Sequence, residues 1–162
     1  MGSSASTASK APPPPLPPLP EQLGAVGSLC FPYEVTLVLK EQVGWSGDSF
    51  SILDINKTPC FQIKGRAMSF SQKKVLHDMQ GQAILNFRHE IALFEKKYCI
   101  YAGSDQTRKV ATIKVQTFMG ISATIEFTNI NGQSRLWTLD GNFFASRAEI
   151  IDPVTGMTVG RI

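Results

Sequence analysis

Four basic side chains, Lys64, Arg66, Lys73 and Lys74, lie close together in the sequence, on either side of one short loop. If the first two belong to an extended strand, they point to the same face, because side chains alternate along a strand. Two cations on one face can bind a phosphate group or an anionic lipid headgroup. The alternative is a solvated, charged face of a sheet that has no ligand.

The overall charge agrees with a local anion site but not with a nucleic-acid-binding surface. The net charge is only +3, whereas proteins that bind nucleic acid usually carry a strong basic stripe. We therefore expect no nucleic-acid partner. Two further basic pairs, Lys96-Lys97 and Arg108-Lys109, are weaker candidates for the same anion chemistry.

The sequence has no pattern typical of an enzyme site. His77 and His89 each precede an acid, Asp78 and Glu90, and adjacent residues of a strand point to opposite faces, which rules out a base and its orienting partner. The His-Glu-x-x-His and Gly-x-Ser-x-Gly motifs and a Gly-rich phosphate loop do not occur. We expect no catalytic residue, no metal site and no cofactor.

The cysteines and the apolar segments indicate an intracellular protein. Cys30, Cys60 and Cys99 are far apart and odd in number, which favours buried reduced thiols over a disulfide or a metal site. No apolar run is long enough to span a bilayer, and no signal-peptide core follows Met1. The predicted location is therefore cytoplasmic.

The N-terminus fits the pattern for N-myristoylation, with Gly2 after the initiator methionine and Ser6 four residues later. A single myristoyl chain holds a protein on a membrane only weakly and reversibly. The alternative is an unmodified tail of small residues.

A proline-rich stretch follows, with the two repeats Pro14-Pro15-Leu16-Pro17 and Pro17-Pro18-Leu19-Pro20. Such a sequence favours polyproline II and cannot pair in a sheet. It predicts either a ligand for an SH3, WW or profilin-type groove or a plain spacer. We predict a disordered proline-rich tail over residues 1–28 and a folded domain over residues 29–162.

The elements that position these residues are predicted to be β-hairpins. Asp54, Asp78 and Asp152 each end an extended segment and precede a few turn-forming residues and another extended segment, as expected of hairpin turns. Asn131-Gly132 and Asp140-Gly141 are further turn signals, the former the strongest. The prediction is an all-β antiparallel meander with eleven strands: 33–40, 49–54, 59–64, 73–77, 82–88, 91–101, 109–117, 121–129, 134–139, 142–151 and 157–162.

Six short segments in this order resemble the LURP-one-related family, over roughly residues 29–162. They are Val35-Thr36-Leu37-Val38, Phe50-Ser51-Ile52-Leu53-Asp54, Phe61-Gln62-Ile63-Lys64-Gly65, Lys74-Val75-Leu76-His77-Asp78-Met79-Gln80-Gly81, residues 98–103 and Leu139-Asp140-Gly141-Asn142-Phe143-Phe144. The family is similar to the tubby carboxy-terminal domain and to phospholipid scramblases. The resemblance implies a twelve-stranded antiparallel barrel around a central apolar helix. Because the sequence stops at Ile162 in a predicted strand, we expect a tubby-like barrel that is incomplete at its C-terminus, without that helix.

The resemblance also implies a function. It suggests a non-enzymatic module at a membrane surface or for protein interaction, peripheral at the plasma membrane, with phosphoinositide as the ligand of the four basic residues and a role in plant defence. Two alternatives stay open at this point. One is a scramblase-like protein that handles phospholipid, and the other is a barrel that binds an apolar ligand in its lumen.

Overall fold

The computed structural model describes residues 14–41, 49–65, 73–91, 96–116, 121–142 and 147–162, which form eleven β-strands and one short 3₁₀ helix at Gly27–Leu29. The strands are β1 Val38–Glu41, β2 Phe50–Leu53, β3 Pro59–Gly65, β4 Lys74–His77, β5 Ala83–Ile91, β6 Lys96–Ala102, β7 Lys109–Gln116, β8 Ile121–Thr128, β9 Ser134–Asn142, β10 Arg147–Asp152 and β11 Met157–Arg161. The predicted all-β class is therefore confirmed.

The strands form one sheet in which every strand pairs only with its neighbours in the sequence, in the order β1 to β11. All ten pairs are antiparallel. This is the predicted meander. Short connections between antiparallel strands make such an order the simplest one that the chain can adopt.

The three predicted aspartate turns are present, and in each the carboxylate accepts a hydrogen bond from the amide two residues later. Oδ1 of Asp54 accepts hydrogen bonds from the amides of Asn56 and Thr58, both at 2.8 Å. Oδ1 of Asp78 accepts from the amides two and four residues later. Asp152, which is only 3% exposed, accepts from the amide of Val154 at 2.9 Å. These bonds satisfy turn amides that the sheet leaves without partners.

The two Gly-containing turn signals have different outcomes. Asn131-Gly132 forms the turn between β8 and β9, and Gly132 has φ of 84°, as its lack of a Cβ permits. The turn predicted at Asp140-Gly141 is wrong, because β9 continues through both residues. Asp140 pairs with Ser122 on one side and Glu149 on the other. Those partners supply the ladder hydrogen bonds that a turn would have broken.

The register divides the sheet into an apolar face and a polar face. Residues that lie directly opposite each other in a ladder share a face, so the ladders can be followed from strand to strand. The apolar face carries Leu39, Ile52, Phe61, Ile63, Leu76, Leu85, Phe87, Ile100, Ile113, Ile125, Phe127, Leu139 and Ile150. Among these only Leu76 and Phe127 are below 9% exposed. Most of the apolar face is therefore half-buried in the described structure.

The first and last strands are linked through the N-terminal segment. The Arg161 side chain on β11 donates a hydrogen bond from Nη1 to the Pro14 carbonyl at 2.6 Å, and the amide of Leu16 donates to Oε2 of Glu34 at 2.9 Å. Glu34 lies four residues before β1. The edges of a flat sheet of eleven strands would be about 48 Å apart. Pro14 and Leu16 are only two positions apart, yet one contacts the last strand and the other contacts Glu34 just before the first. The sheet therefore curls into a barrel-like form.

The same N-terminal segment is anchored at the turn between β8 and β9. The amide of Gly24 donates to Oδ1 of Asn129 at 2.8 Å, and the amide of Ile130 donates to the Gly24 carbonyl at 2.9 Å. Glu21 forms an ion pair with Arg135. Residues 14–30 thus contact the sheet at several points, whereas the division of the chain at residue 28 and the disorder of the tail stay predictions.

Candidate anion-binding surface

Lys64 lies on the polar face near the end of β3. It pairs with Val75 of β4, which in turn pairs with Asn86 of β5. Asn86 is fully buried, although it lies on the polar face, because the loop after β6 folds over it. Lys64 itself is exposed. Its ammonium group is therefore available to an anion from solvent on this face.

Lys73 reaches the same face. Its Nζ donates a hydrogen bond to the carbonyl of Ser104 at 2.9 Å. Ser104 belongs to the loop after β6, and this loop is held on the polar face because Nδ2 of Asn86 donates to the carbonyls of Gly103 and Asp105. Lys64 and Lys73 therefore share one surface, as the predicted site requires.

Lys74 lies on the other face. It pairs with Gly65 and with Phe87, and its Nζ lies 5.1 Å from the centroid of the Phe50 ring, a cation–π distance. The structure thus separates Lys74 from Lys64 by the thickness of the sheet. Arg66, the fourth predicted residue, lies outside the described residues, as does the predicted lipidation site Gly2.

Arg88 is a member of this surface that sequence reasoning missed. It pairs with Cys99 across β5 and β6, on the polar face, and its Nε donates to Oδ1 of Asn86 at 3.3 Å. The Gln106 side chain also faces its guanidinium. Arg88 is two residues from Asn86 on the same strand. A hairpin between β4 and β5 is predicted from the sequence, but neither its register nor the loop that covers Asn86 is. We call Lys64, Lys73 and Arg88 the basic patch.

One carboxylate lies beside the basic patch and offsets part of its charge. The pKa of Asp105 is lowered from its usual value, mainly by hydrogen bonds from the Thr107 amide and hydroxyl and to a smaller degree by the charge of Lys73. Asp105 is therefore ionised at neutral pH. The patch therefore combines three positive charges with the negative charge of Asp105.

A nearby thiol is buried among polar side chains. Cys99 is 0% exposed on the polar face, and its pKa is raised, first by burial and then by its hydrogen bond with Glu90. Glu90 also pairs with Lys97 at 2.8 Å. A raised pKa keeps the thiol protonated and makes it a poor nucleophile. Within the described ranges, no three His, Cys, Asp or Glu side chains are grouped so that they could hold a metal ion.

Comparison with known proteins assigns the chain to a family. The model of the LURP-one-related family matches residues 35–162. The chain belongs to the LURP-one-related family. Its curated relatives include Protein LURP-one-related 14 of Arabidopsis thaliana, which is 29% identical over 94 residues, 57% of this chain and 46% of the relative. Protein LURP-one-related 10 of the same plant is 25% identical over 97 residues, 58% of this chain and 50% of the relative.

This LURP-one-related chain spans about half the length of those two curated relatives. A solved structure, the X-ray structure of a protein from Arabidopsis thaliana, superposes with a TM-score of 0.60 at 20% sequence identity, over 84% of this chain and 78% of the other. That likeness supports the all-β fold. In the residues that the structure describes, no helix has the length and apolar character that crossing a bilayer requires.

The proline-rich stretch of this LURP-one-related chain lies on its surface. Within the described part, Pro14, Pro15, Pro17, Pro18, Leu19 and Pro20 are exposed, and Leu16 is half-buried. The Pro14 carbonyl accepts a hydrogen bond from Arg161 on β11, and the Leu16 amide donates one to Glu34, which precedes β1. The proline rings that a groove would recognise therefore remain accessible to a partner.

Proposed function

We propose that this protein is a non-enzymatic module that binds anionic phospholipid at a membrane surface through its basic patch. The observation that carries the proposal is that Lys64, on β3, and Lys73, just before β4, lie on one face. Arg88 adds a planar guanidinium to the same face, and guanidinium groups suit the bidentate recognition of phosphate. A phosphoinositide headgroup has the density of phosphate that such a patch would bind.

The expected affinity of the patch is low. A basic residue near an anionic membrane contributes about 1 kcal/mol, less at higher salt. Three such residues offset by Asp105 would give roughly 2 kcal/mol, which is too little for stable attachment. A second membrane signal is therefore part of the proposal, and the acyl chain predicted at Gly2 would supply it.

Co-expression with an N-myristoyltransferase, followed by mass spectrometry of the N-terminus and fractionation, tests this second signal. We expect a myristoyl group on Gly2 and a membrane fraction that Gly2→Ala releases into the cytosol. An unmodified N-terminus, with a distribution that Gly2→Ala does not change, would show that the tail has no role in membrane binding.

Phosphoinositide recognition itself is tested by sedimentation with vesicles of phosphatidylcholine, with or without phosphatidylinositol bisphosphate. With lipid in large excess, we expect the unmodified protein to sediment weakly and only with the phosphoinositide vesicles, and less as salt is raised. Equal sedimentation with phosphatidylserine vesicles of the same charge would show that the protein binds anionic membranes in general, without a preference for phosphoinositide. Reconstitution of labelled lipid into the same vesicles would reveal scrambling, the alternative activity that the resemblance implies.

The proline-rich stretch is proposed as the part that binds a protein partner. Its exposed prolines at positions 14, 15, 17, 18 and 20 suit the aromatic-lined grooves of SH3, WW or profilin-type domains. Titration with one purified domain of each type, against a chain in which Pro15 and Pro18 are changed to Ala, tests it. If the two substitutions do not weaken binding, the proline-rich stretch is a spacer and not the binding site.

A second candidate function follows from the apolar face. Leu39 on this face is 60% exposed, and most other apolar residues of the face are half-buried. Apolar surface of this extent is stabilised by contact with another apolar group, at about 25 cal/mol per Å². Native mass spectrometry after expression would detect a bound lipid or fatty acid as added mass. A homogeneous unliganded mass would speak against an apolar ligand.

A further inference from the structure

A separate cleft lies where the N-terminal segment meets the sheet. Its walls are formed by residues 25–27, by residues 108–110 at the start of β7 and by residues 128–130 at the end of β8, and its volume is about 370 Å³. This volume falls in the range of pockets that hold small organic molecules. We call it the N-terminal cleft.

The charge in the N-terminal cleft has one sign. Arg108 and Lys109 line it, and none of its nine lining residues carries a carboxylate. Both cations are exposed, so their charges cost little to maintain. Thr128 adds a hydroxyl group to the wall. These groups would bind an anion through charge-assisted hydrogen bonds.

Apolar side chains provide the rest of the lining. Val26, Val110 and Ile130 lie along the cleft, and Val110 is only 7% exposed. An anion that carries a small apolar group would place that group against these residues. Inorganic phosphate alone would leave this part of the lining in water.

The N-terminal cleft exists only while the N-terminal segment is docked. Asn129, which is 3% exposed, holds the amide of Gly24 through its Oδ1, and Gly24 directly precedes the residues that form one wall. A ligand that contacts both walls would favour the docked segment by mass action. The cleft therefore couples ligand binding to the position of the proline-rich stretch just upstream.

We propose that the N-terminal cleft binds a small organic phosphate or carboxylate with an apolar group, with Arg108 and Lys109 as the anion-binding residues. The site is distinct from the basic patch and needs none of its residues. The anion would come either from a soluble metabolite or from the headgroup of a lipid, since both present the same phosphate chemistry.

The test is an NMR titration of the full chain, labelled with ¹⁵N, with phenyl phosphate as the probe. We expect saturable shifts of the amides of Gly27, Val110 and Ile130. Phenol, which lacks the charge, should bind at least about tenfold more weakly, since a hydrogen bond to a charged group contributes this much. Inorganic phosphate should also bind more weakly, because it has no apolar group to bury against the cleft. No saturable shift at the cleft amides with phenyl phosphate would overturn the proposal.

Variants identify the residues responsible. Arg108→Gln with Lys109→Gln should weaken phenyl phosphate binding by at least about tenfold, whereas Lys96→Gln with Arg147→Gln removes the same charge elsewhere and should change it little. Gly27→Leu keeps both cations but places a side chain toward Ile130, whose Cγ2 lies 3.9 Å from the position of a Cβ at residue 27. It should also weaken binding. Equal losses in the two double variants would overturn the assignment.

Vesicle sedimentation of the variants identifies the source of the anion. If the Arg108 and Lys109 double variant loses vesicle binding together with phenyl phosphate binding, the ligand is a lipid headgroup. If it loses only phenyl phosphate binding, the ligand is a soluble metabolite. Both results support the cleft. Failure of the basic patch would appear separately, as vesicle binding that Lys64 and Lys73 substitutions leave unchanged.

Discussion

Lys64 and Lys74 lie on opposite faces of the sheet, although they belong to neighbouring strands. In the ladder between β3 and β4, Lys64 pairs with Val75 while Gly65 pairs with Lys74. A shift of one residue thus sends two nearby cations to different surfaces. One faces solvent on the polar face, and the other lies over the Phe50 ring. Substituting either lysine removes the same charge, but only the Lys64 substitution is expected to weaken anion binding.

Removal of the Asn129 side chain is expected to loosen the N-terminal segment. Asn129→Ala would leave the Gly24 amide without its buried acceptor, at a cost of about 1–3 kcal/mol. The Tm should fall by about 2–4 °C for each kcal/mol. Thermal unfolding followed by circular dichroism measures this. Asn56→Ala, at an exposed turn position, is the matched control, and an equal effect of both would contradict the anchoring role.

The first aspartate turn gives a second stability prediction. Asp54→Ala removes an acceptor of two amide hydrogen bonds, and we expect a loss of about 1–2 kcal/mol in the free energy of unfolding. Asp54→Asn keeps an oxygen in the same place and should lose less. Urea denaturation measures both variants. If Asn is as destabilising as Ala, the negative charge and not the hydrogen-bond geometry stabilises the turn.

The thiols are expected to differ in reactivity. Burial raises the pKa of Cys99, so its thiolate fraction at pH 8 is below that of an ordinary thiol. Cys60 is half-buried, and we expect it to react with iodoacetamide before Cys99 does. Peptide mass spectrometry after timed labelling measures the order, with the unfolded protein as control. Because the raised pKa favours the protonated thiol in the folded state, its contribution to stability should decrease as pH rises above the usual thiol value.

Much of the strand order could be predicted from the sequence because the turns are local. Asn131-Gly132 and the three aspartates contain their own hydrogen-bond partners within four residues. The ends of strands were less predictable. The segment predicted to begin at residue 33 forms a strand only from Val38. β9 continues through Asp140-Gly141 because pairing with neighbouring strands overrides the local turn preference of Asp and Gly.

The candidate site was predicted only in part, because it depends on contacts between distant residues. The sequence placed Lys64 and Lys73 near one loop, but it showed neither that Lys73 reaches Ser104 nor that Arg88 joins them. The opposite orientation of Lys74 follows from the register, which only the assembled ladder defines. The anchoring of Gly24 by Asn129 joins residues 105 positions apart, and no local pattern predicts such a contact.

Sedimentation of three variants with phosphatidylinositol bisphosphate vesicles tests the proposed membrane function most directly. The double variant Lys64→Gln with Lys73→Gln removes two cations of the basic patch. The single variants Lys64→Gln and Lys74→Gln each remove one cation, the first from the basic patch and the second from the opposite face. The proposal predicts that Lys64→Gln lowers the vesicle-bound fraction about fivefold and the double variant more strongly, since each residue contributes about 1 kcal/mol. Lys74→Gln should bind as the unchanged protein does. Equal losses for Lys64→Gln and Lys74→Gln, or no loss in the double variant, would contradict it.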